Sequence, residues 1–363
     1  MREDWNALAA DRSVFLRHEW FDAAWQWRKH EDATHLSILC AYNGTHLAGI
    51  FPLLRKTERA GGMSRRVLEF LTVPDNQLCD IIVDAPDEFA VAEAMAAELA
   101  ARSGTWDVMH LAYLPEGSMT ATGAFTNALK RLGITHRLRS SGSNSYVSLE
   151  TGWNDYYAKR GRSLKKTINL AANRLKKAGE TQIEWLASNM DSSISIDAVI
   201  DAAIGVSAAS WKRTTGNSLD NPGPQAFIRR LAELALVEGW LSLWLMKLDG
   251  KPIATEWQLI FGDRVHALRS DFVEAYDDLS PGTHLNKHLL ESLFDRGLQR
   301  YLMGPGDNPY KKRWSELAEP LFQLDAYSPS LRGRFAAAWD LKLKPRLRTL
   351  KAKMNRNQEG GSP

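Results

Sequence analysis

The order of apolar and polar residues predicts a mixed α/β chain. Pairs of apolar runs flank Asn43-Gly44 and Asp249-Gly250, and such dipeptides between strands are typical of tight β-hairpins. Apolar residues at helical spacing predict helices over 19–30, 87–102, 153–178, 195–211 and 225–238. Shorter apolar runs predict further strands at 78–83 and 106–111.

This pattern occurs twice. A strand, a helix and a second strand follow each hairpin, and both second hairpin strands open with Leu or Ile followed by Ala. We therefore predict an α/β (α+β) chain of two tandem domains, each a twisted, mixed, mainly antiparallel sheet with helices on both faces. The predicted boundaries are 1–150, 151–328, and 329–363 for a basic C-terminal helix and tail.

Residues 264–316 are the most informative stretch. Alternation over 265–271 predicts a strand with Val265, Ala267 and Arg269 on one face. A loop ending in Ser280-Pro281-Gly282 then opens an amphipathic helix, and 300–303 predicts the next strand. The N–H groups of Gly282, Thr283 and His284 would lie at that helix N-terminus, which favours an anion site. The alternative is an ordinary helix cap.

Several side chains are candidates for proton transfer. Asp271 ends the predicted strand and is either a general base for an amine or a loop cap. Glu256, in a strand expected to be covered on both faces, faces either a cleft or a polar partner. Tyr310 is either a weak acid or a half-buried aromatic residue. His284 and His288 lie one helical turn apart, but no third ligand has useful spacing, so no metal is predicted.

The order of these motifs resembles a known family. The Ser-Pro-Gly loop, helix and strand precede Gly304, Gly306, Asp307, Tyr310, Lys311 and Trp314. Together they resemble the CelD-like branch of the GNAT acyltransferases, which is related to the FemAB peptidyltransferases. The resemblance implies a degenerate GNAT-like domain at 1–150 and a catalytic one at 151–328, because the first half has no counterpart of Ser-Pro-Gly or Tyr-Lys.

The resemblance also implies a function and residue roles. The chain would move an acyl group from acyl-CoA, with acetyl-CoA the expected donor, to an amine of an envelope or exopolysaccharide-related acceptor, without a metal. The implied catalytic residues are Asp271, Tyr310 and Glu256. The residues expected to bind the donor are Ser280, Gly282, Thr283 and His284. The residues expected to bind substrate are Trp211, Arg269, Asp307 and Lys311.

Composition and charge predict the compartment of the protein and the kind of partner it binds. The chain has 363 residues, two cysteines, no apolar run long enough to span a membrane and no signal-peptide pattern, so we expect a cytoplasmic protein. Residues 159–177 carry eight basic and no acidic residues, and 332–356 carry nine basic residues against one acid. Such clusters indicate an anionic partner or a solvated helix face.

The basic clusters keep alternatives open. A FemAB-type transferase would use aminoacyl-tRNA, the one nucleic acid expected, on helix 153–178. A non-catalytic scaffold would dock on a polysaccharide synthase complex. In the tail, the apolar stripe comprises Phe335, Trp339, Leu343, Leu347 and Leu350. We expect Pro345 to kink or restart this helix and Phe335–Leu343 to pack on the first domain. The alternative is a peripheral anchor on the anionic inner membrane.

Overall fold

The architecture is a mixed α/β fold. A computed structural model describes residues 1–60, 62–188 and 195–347, with the backbone alone for residues 121 and 122. The helices are α1 Arg2–Ala9, α2 His18–Arg28, α3 Glu88–Ala101, α4 Met119–Thr122, α5 Ala124–Arg131, α6 Trp153–Ala158, α7 Arg162–Ala178, α8 Ile196–Ala208, α9 Pro222–Val237, α10 Pro281–Phe294, α11 Pro309–Trp314 and α12 Leu331–Ala338. The strands are β1 His35–Asn43, β2 His46–Ala60, β3 Met63–Phe70, β4 Ile82–Val83, β5 Val108–Pro115, β6 His136–Ser148, β7 Thr181–Ala187, β8 Leu241–Leu248, β9 Lys251–Phe261, β10 Arg264–Phe272, β11 Arg300–Pro305 and β12 Ala318–Tyr327.

Unit 1 comprises Met1–Asp32, Leu71–Cys79 and Ser141–Leu321. Its strands run in the order β6-β11-β10-β9-β8-β7, and β10 and β11 are the parallel pair. The predicted hairpin at Asp249-Gly250 is confirmed, since β8 pairs antiparallel with β9 and both turn residues have positive φ. That backbone is typical of the tight turn that an Asp-Gly pair favours.

The N-terminal segment packs with the second half of the chain. The ring of Phe227 on α9 lies 5.5 Å from Trp20 and 5.8 Å from Trp27, both on α2. Arg230 of α9 also pairs with Asp22 at 2.7 Å. The linear division at residue 150 therefore does not coincide with the compact units, because two early segments complete the core of the later one.

Two helical regions of unit 1 test the predictions made from the spacing of apolar residues. Leu285, Leu289 and Leu293 of α10 are all buried, as their stripe predicts. The single basic helix expected over 153–178 is wrong: the chain forms α6 and α7, and Gly161 between them has extended backbone. α7 buries Leu164, Ile168, Ala171 and Leu175, which turns its basic side chains outward.

Unit 2 comprises Ala33–Phe70, Asp80–Ser140 and the chain from Phe322 onward. Its sheet has the order β1-β2-β3-β5-β12-β6, and β6 and β12 contribute residues to both units. β2 and β3 are antiparallel, α3 follows, and β5 runs parallel to β3. This sequence of elements repeats that of β9, β10, α10 and β11, so the predicted tandem fold is confirmed. The strand predicted at 78–83 is shorter and begins at Ile82.

The C-terminal helix does not break at Pro345. α12 continues through a π-helical turn, Trp339–Leu343, and helical residues reach Leu347. A proline ring crowds the carbonyl four residues earlier, and the wider π turn accommodates it. The helix therefore does not restart at Pro345, a kink there stays a prediction, and Leu350 lies outside the described residues.

The helix packs on unit 2 through another face than expected. Ala336 and Ala337 join the buried cluster of Val108 and Tyr327. Phe335, by contrast, is 47% exposed and Leu343 44% exposed. The segment Phe335–Leu343 thus packs on unit 2 as expected, but through Ala336 and Ala337 and not through the large residues of the predicted stripe. Among the described helices none is long and apolar enough to cross a membrane.

One stability prediction follows from this close contact. A Cβ added at Gly333, in the first turn of α12, would overlap the carbonyl oxygen of Ser328. Gly333→Ala should therefore lower the free energy of unfolding by about 1–3 kcal/mol, the usual cost of overpacking. The matched control is Gly205→Ala within α8, where the added Cβ meets no described atom within 4 Å. It should stabilise by about 0.4–1 kcal/mol. Urea unfolding measures both, and an unchanged midpoint for Gly333→Ala would contradict the packing.

Candidate active site

The site lies where β10 and β11 stop pairing. Their parallel register runs only from Arg264–Arg300 to His266–Leu302. On the other edge of β10, the register with β9 shifts between Ala267 and Arg269, which is a β-bulge. Bulges bend a strand and redirect its side chains, often next to active sites. The carboxyl ends of β10 and β11 are thus left unpaired with each other.

Gln77 lies between β10 and β11 where the two strands diverge. Its Nε2 donates to the carbonyl of Ala267 at 2.9 Å and, at 3.5 Å, to that of Leu302. Its Oε1 lies 3.0 Å from Nδ1 of His266. Burial lowers the pKa of His266 to about 3, so the neutral ring donates this bond. The segment 71–79 therefore belongs to the site.

The bulge reverses one predicted orientation. Val265 and Ala267 pack in the apolar cluster that includes α10. Arg269 was expected on their face, yet its Nη2 donates to Oγ of Ser207 on α8 at 3.3 Å. The prediction is wrong, because the extra residue in the bulge moves every later side chain of β10 to the opposite face.

Arg269 belongs to a cluster of two carboxylates and two cations. Nε of Arg269 lies 2.6 Å from Oδ2 of Asp271, and Nζ of Lys212 lies 2.8 Å from Oδ1 of the same carboxylate. Nη1 of Arg269 lies 3.9 Å from Oδ2 of Asp75. We call Asp75, Lys212, Arg269 and Asp271 the charge cluster. Trp211, 53% exposed, stands beside it in the chain.

The two carboxylates of the charge cluster have opposite pKa shifts. Burial raises the pKa of Asp75 in spite of Arg269, and its Oδ2 accepts no hydrogen bond from any described residue. Burial opposes ionisation of Asp271 too, but Lys212 and Arg269 outweigh it and lower the pKa of Asp271. Such divergence separates a proton acceptor from a permanently ionised group. The arrangement suits Asp75 to the first role and Asp271 to the second.

A second polar group lies under α10. Oε1 of Glu256 accepts from Tyr301 Oη at 2.5 Å and Gln258 Nε2 at 2.8 Å, and Oε2 accepts from Ser270 Oγ at 2.7 Å. Glu256 thus faces polar partners, one of the two expected outcomes, and burial raises its pKa. Burial and the charge of Glu256 also raise the pKa of Tyr310, which places these two predicted residues near each other.

Lys311 closes the carboxyl end of β11. Its Nζ donates to the carbonyls of Gly304 at 2.7 Å and Pro305 at 2.8 Å. Burial lowers the pKa of Lys311 to about 8, with Asp307 opposing the shift. Asp307 itself accepts from Ser143 Oγ at 2.9 Å. An ammonium with two of its three N–H bonds engaged has one left for a ligand.

The N-terminus of α10 offers fewer amides than expected. Ser280 has left-handed backbone, and its carbonyl accepts the N–H groups of Thr283 at 3.1 Å and His284 at 3.3 Å. Pro281 has no N–H. Of the three predicted donors, only Gly282 has its N–H outside the contacts of this turn. Space is present there, because a Cβ on Gly282 would approach Phe272 only to 3.6 Å. Within the described ranges, no three His, Cys, Asp or Glu side chains converge on a metal position.

These features define a class of protein. A hairpin, a bulged strand, a helix and a parallel strand that diverges from its neighbour form the architecture of a GNAT acyltransferase domain. The family model described as an acetyltransferase (GNAT) domain matches residues 162–312. Residues 162–312 of this chain are thus similar to an acetyltransferase (GNAT) domain.

Solved structures share the fold across most of the chain. FemX aligns with a TM-score of 0.54 at 11% identity, covering 90% of this chain and 95% of that one. The C-terminal domain of an Agrobacterium fabrum protein assigned as a lysylphosphatidylglycerol synthetase gives 0.54 at 12% identity, covering 89% and 90%. L-PGS from Bacillus licheniformis gives 0.50 at 12% identity, covering 84% and 88%. Comparison with curated proteins finds no match.

Sequence reasoning missed Asp75 and Gln77, and it gave Lys212 no role of its own beside Trp211. A signal for the first two was present, because a polar run, Asp75-Asn76-Gln77, interrupts apolar residues at Val73 and Leu78. Buried polar residues need partners, so such a run is a candidate site segment. Its placement beside β10 depends on contacts almost 200 residues apart, which periodicity does not encode.

Proposed function

We propose that this chain transfers an acyl group from acyl-CoA to a primary amine at the carboxyl end of β10. The amine nitrogen attacks the thioester carbonyl, a C–N bond forms, the C–S bond breaks, and the amine loses a proton. The observation that carries the proposal is the divergent pair of carboxylates beside Arg269. Asp75, whose pKa is raised and whose Oδ2 accepts no hydrogen bond from the described residues, takes the proton directly or through water.

The other site residues position the base and stabilise the developing oxyanion. Asp271 stays ionised and holds Lys212 and Arg269, so in this proposal it orients the base and is not the base itself. The free N–H of Lys311 stabilises the developing oxyanion. Tyr310 remains the proposed acid that protonates the departing thiolate. Glu256, with both carboxylate oxygens hydrogen-bonded, acts as a positioning residue beneath it.

The acyl-CoA donor is supported by the GNAT domain and by the N-terminus of α10. The Gly282 amide and the helix dipole would face the coenzyme's pyrophosphate, while Ser280, Thr283 and His284 shape the turn. The acceptor is proposed to be an amine on an envelope or exopolysaccharide-related molecule, as in the CelD-like branch. Exposed Trp211 offers an aromatic surface for stacking such an acceptor.

Titration of coenzyme A tests the donor site. Gly282→Val should weaken binding roughly tenfold or more, because the side chain blocks the amide while the available space lets the fold persist. Gly152→Val is the matched control, since Gly152 has extended backbone and open space at the start of α6. Calorimetry showing equal affinity for wild type and Gly282→Val would refute this donor site.

A FemAB-type donor, aminoacyl-tRNA, is the second candidate. It is favoured by the reduced set of amides at α10 and by Gln77, which occupies the Ala267 carbonyl on the diverging strand. The outward basic face of α7 suits a polyanion. Filter binding of unfractionated tRNA across a salt series separates the candidates: steep salt dependence without coenzyme A binding would replace the first proposal by this one.

A further inference from the structure

Unit 2 contains a cavity of about 620 Å³ that has no part in the proposed acyl transfer. Alternate residues of its sheet line the floor, namely Arg65, His110, Arg137, Arg139 and Asp325. The C-terminal helix supplies Asp340 and Lys344 at the other side. This volume lies within the range of about 300–1,000 Å³ that small-molecule sites occupy.

Arg65 has only part of its hydrogen-bonding capacity satisfied at this cavity. Its side chain is 2% exposed, and Nη1 donates to Oδ2 of Asp340 at 2.7 Å. Nε and Nη2 are buried and have no hydrogen-bond partner among the described residues. An unsatisfied buried group is costly, and more so when charged. A ligand oxygen reaches these two nitrogens only if the Arg65 side chain turns towards the cavity, which would relieve their unsatisfied state.

Two further arginines are held in place next to it. Oδ2 of Asp325 lies 3.0 Å from Nη2 of Arg137 and 3.3 Å from Nε of Arg139, while Oδ1 lies 2.8 Å from Nδ1 of His110. Burial of Asp325 favours its neutral form, but the bonds from His110, Gln323 and Arg137 prevail and lower its pKa. A fixed carboxylate thus orients two guanidinium groups, each of which keeps N–H groups for another acceptor.

The helix above the cavity has unusual geometry at this point. Asp340, the partner of Arg65, lies in the π-helical turn Trp339–Leu343, and Lys344 follows it directly. π-helical turns within α-helices occur frequently at functional sites. Four basic side chains line the cavity against three carboxylates (Glu58, Asp325 and Asp340), and all three arginines have N–H groups to spare.

We propose that this cavity binds a phosphate-bearing anion through Arg65, Arg137 and Arg139. Guanidinium groups match phosphate bidentately, and three of them require more acceptor oxygens than one carboxylate offers. Two sources carry this chemistry: a free phosphorylated metabolite, or a lipid headgroup reached through the helix that exposes Phe335 and Leu343. The site lies wholly in unit 2, so it stands independently of the proposed acyl transfer.

Calorimetric titration of the full chain with inorganic phosphate at low ionic strength tests the site. The double variant Arg137→Gln/Arg139→Gln should weaken binding at least about tenfold, since it removes two charge-assisted hydrogen-bond donors. Both side chains are 44% exposed, so the fold should persist. Arg102→Gln/Arg131→Gln removes the same charge from exposed positions of unit 2 and should leave the affinity unchanged.

Flotation with vesicles separates the two sources. A lipid source predicts that the cavity variant, and not the control, loses binding to phosphatidylcholine vesicles containing phosphatidylglycerol. A free metabolite predicts the phosphate result with equal vesicle behaviour of both variants. Arg65→Met, checked for folding by circular dichroism, should also lose phosphate binding. Unsaturable phosphate binding, or equal losses in the cavity and control variants, would overturn the proposal.

Discussion

Asp75→Asn is expected to lower kcat by about 10²–10⁴-fold, the usual contribution of a general base. Asparagine keeps the shape of the side chain and removes its ability to accept the amine proton. Stability should not fall: the folded protein holds the Asp75 proton more tightly than the unfolded chain, so the ionised carboxyl destabilises the fold at neutral pH. The melting temperature of Asp75→Asn should therefore equal or exceed that of wild type.

The pH profile identifies the role of Asp75. A base with a raised pKa is active above that pKa, so wild-type kcat/KM should rise with pH through a value above the ordinary aspartate range, about 3.9. Asp75→Asn should lack this limb. Asp277→Asn, an exposed carboxylate in the same unit, is the matched control and should behave as wild type. If kcat of Asp75→Asn stays within threefold of wild type, the charge cluster does not supply the base.

Lys311→Met is expected to reduce kcat by about 10²–10³-fold, as loss of an oxyanion donor does in other enzymes. The pKa of Lys311 is lowered to about 8, so its ammonium is present below that pH and lost above it. Wild-type activity should accordingly decline as the pH rises through about 8. Lys311→Met should show a low activity without this decline.

Two companion variants separate charge from packing. Lys311→Arg keeps a cation at all accessible pH values, so part of the activity should return and persist above pH 8. Lys312→Met changes the exposed neighbour and should match wild type. Steady-state rates between pH 6 and 10 decide the matter. If the activity of Lys311→Met still declines at alkaline pH, the decline arises from the titration of a group other than Lys311.

The features that the sequence predicted correctly depend on residues that lie close together in the chain. The hairpins at Asn43-Gly44 and Asp249-Gly250 and the buried stripe of α10 follow from turn chemistry and periodicity within a few residues. The predicted orientation of Arg269 was wrong because strict alternation of side chains does not allow for the extra residue of a β-bulge. The sequence also did not show that the helix continues past Pro345 through a π-helical turn.

The candidate site was predictable only in part. Glu256, Tyr310 and Lys311 follow or flank predicted elements, and the structure places them around β10 and β11. Their catalytic and binding roles, like those of Asp307 and Trp211, remain predictions. Asp271 was predicted as a base because strict alternation does not show that Arg269, two residues earlier, pairs with it after the bulge. Lys212 and Asp75 reach it from distant positions, and tertiary contact alone made Asp75 the better candidate.

The packing of α2 against α9 has a consequence for synthesis on the ribosome. Trp20 emerges early, whereas Phe227, which it contacts, is made about 200 residues later. At roughly 5–20 residues per second, the N-terminal aromatic side chains wait about 10–40 s for their partner. During that interval an apolar segment stands open to aggregation or chaperone capture. Packing of α2 therefore has to wait until α9 has been synthesised, and yield should respond both to chaperone supply and to the speed of elongation.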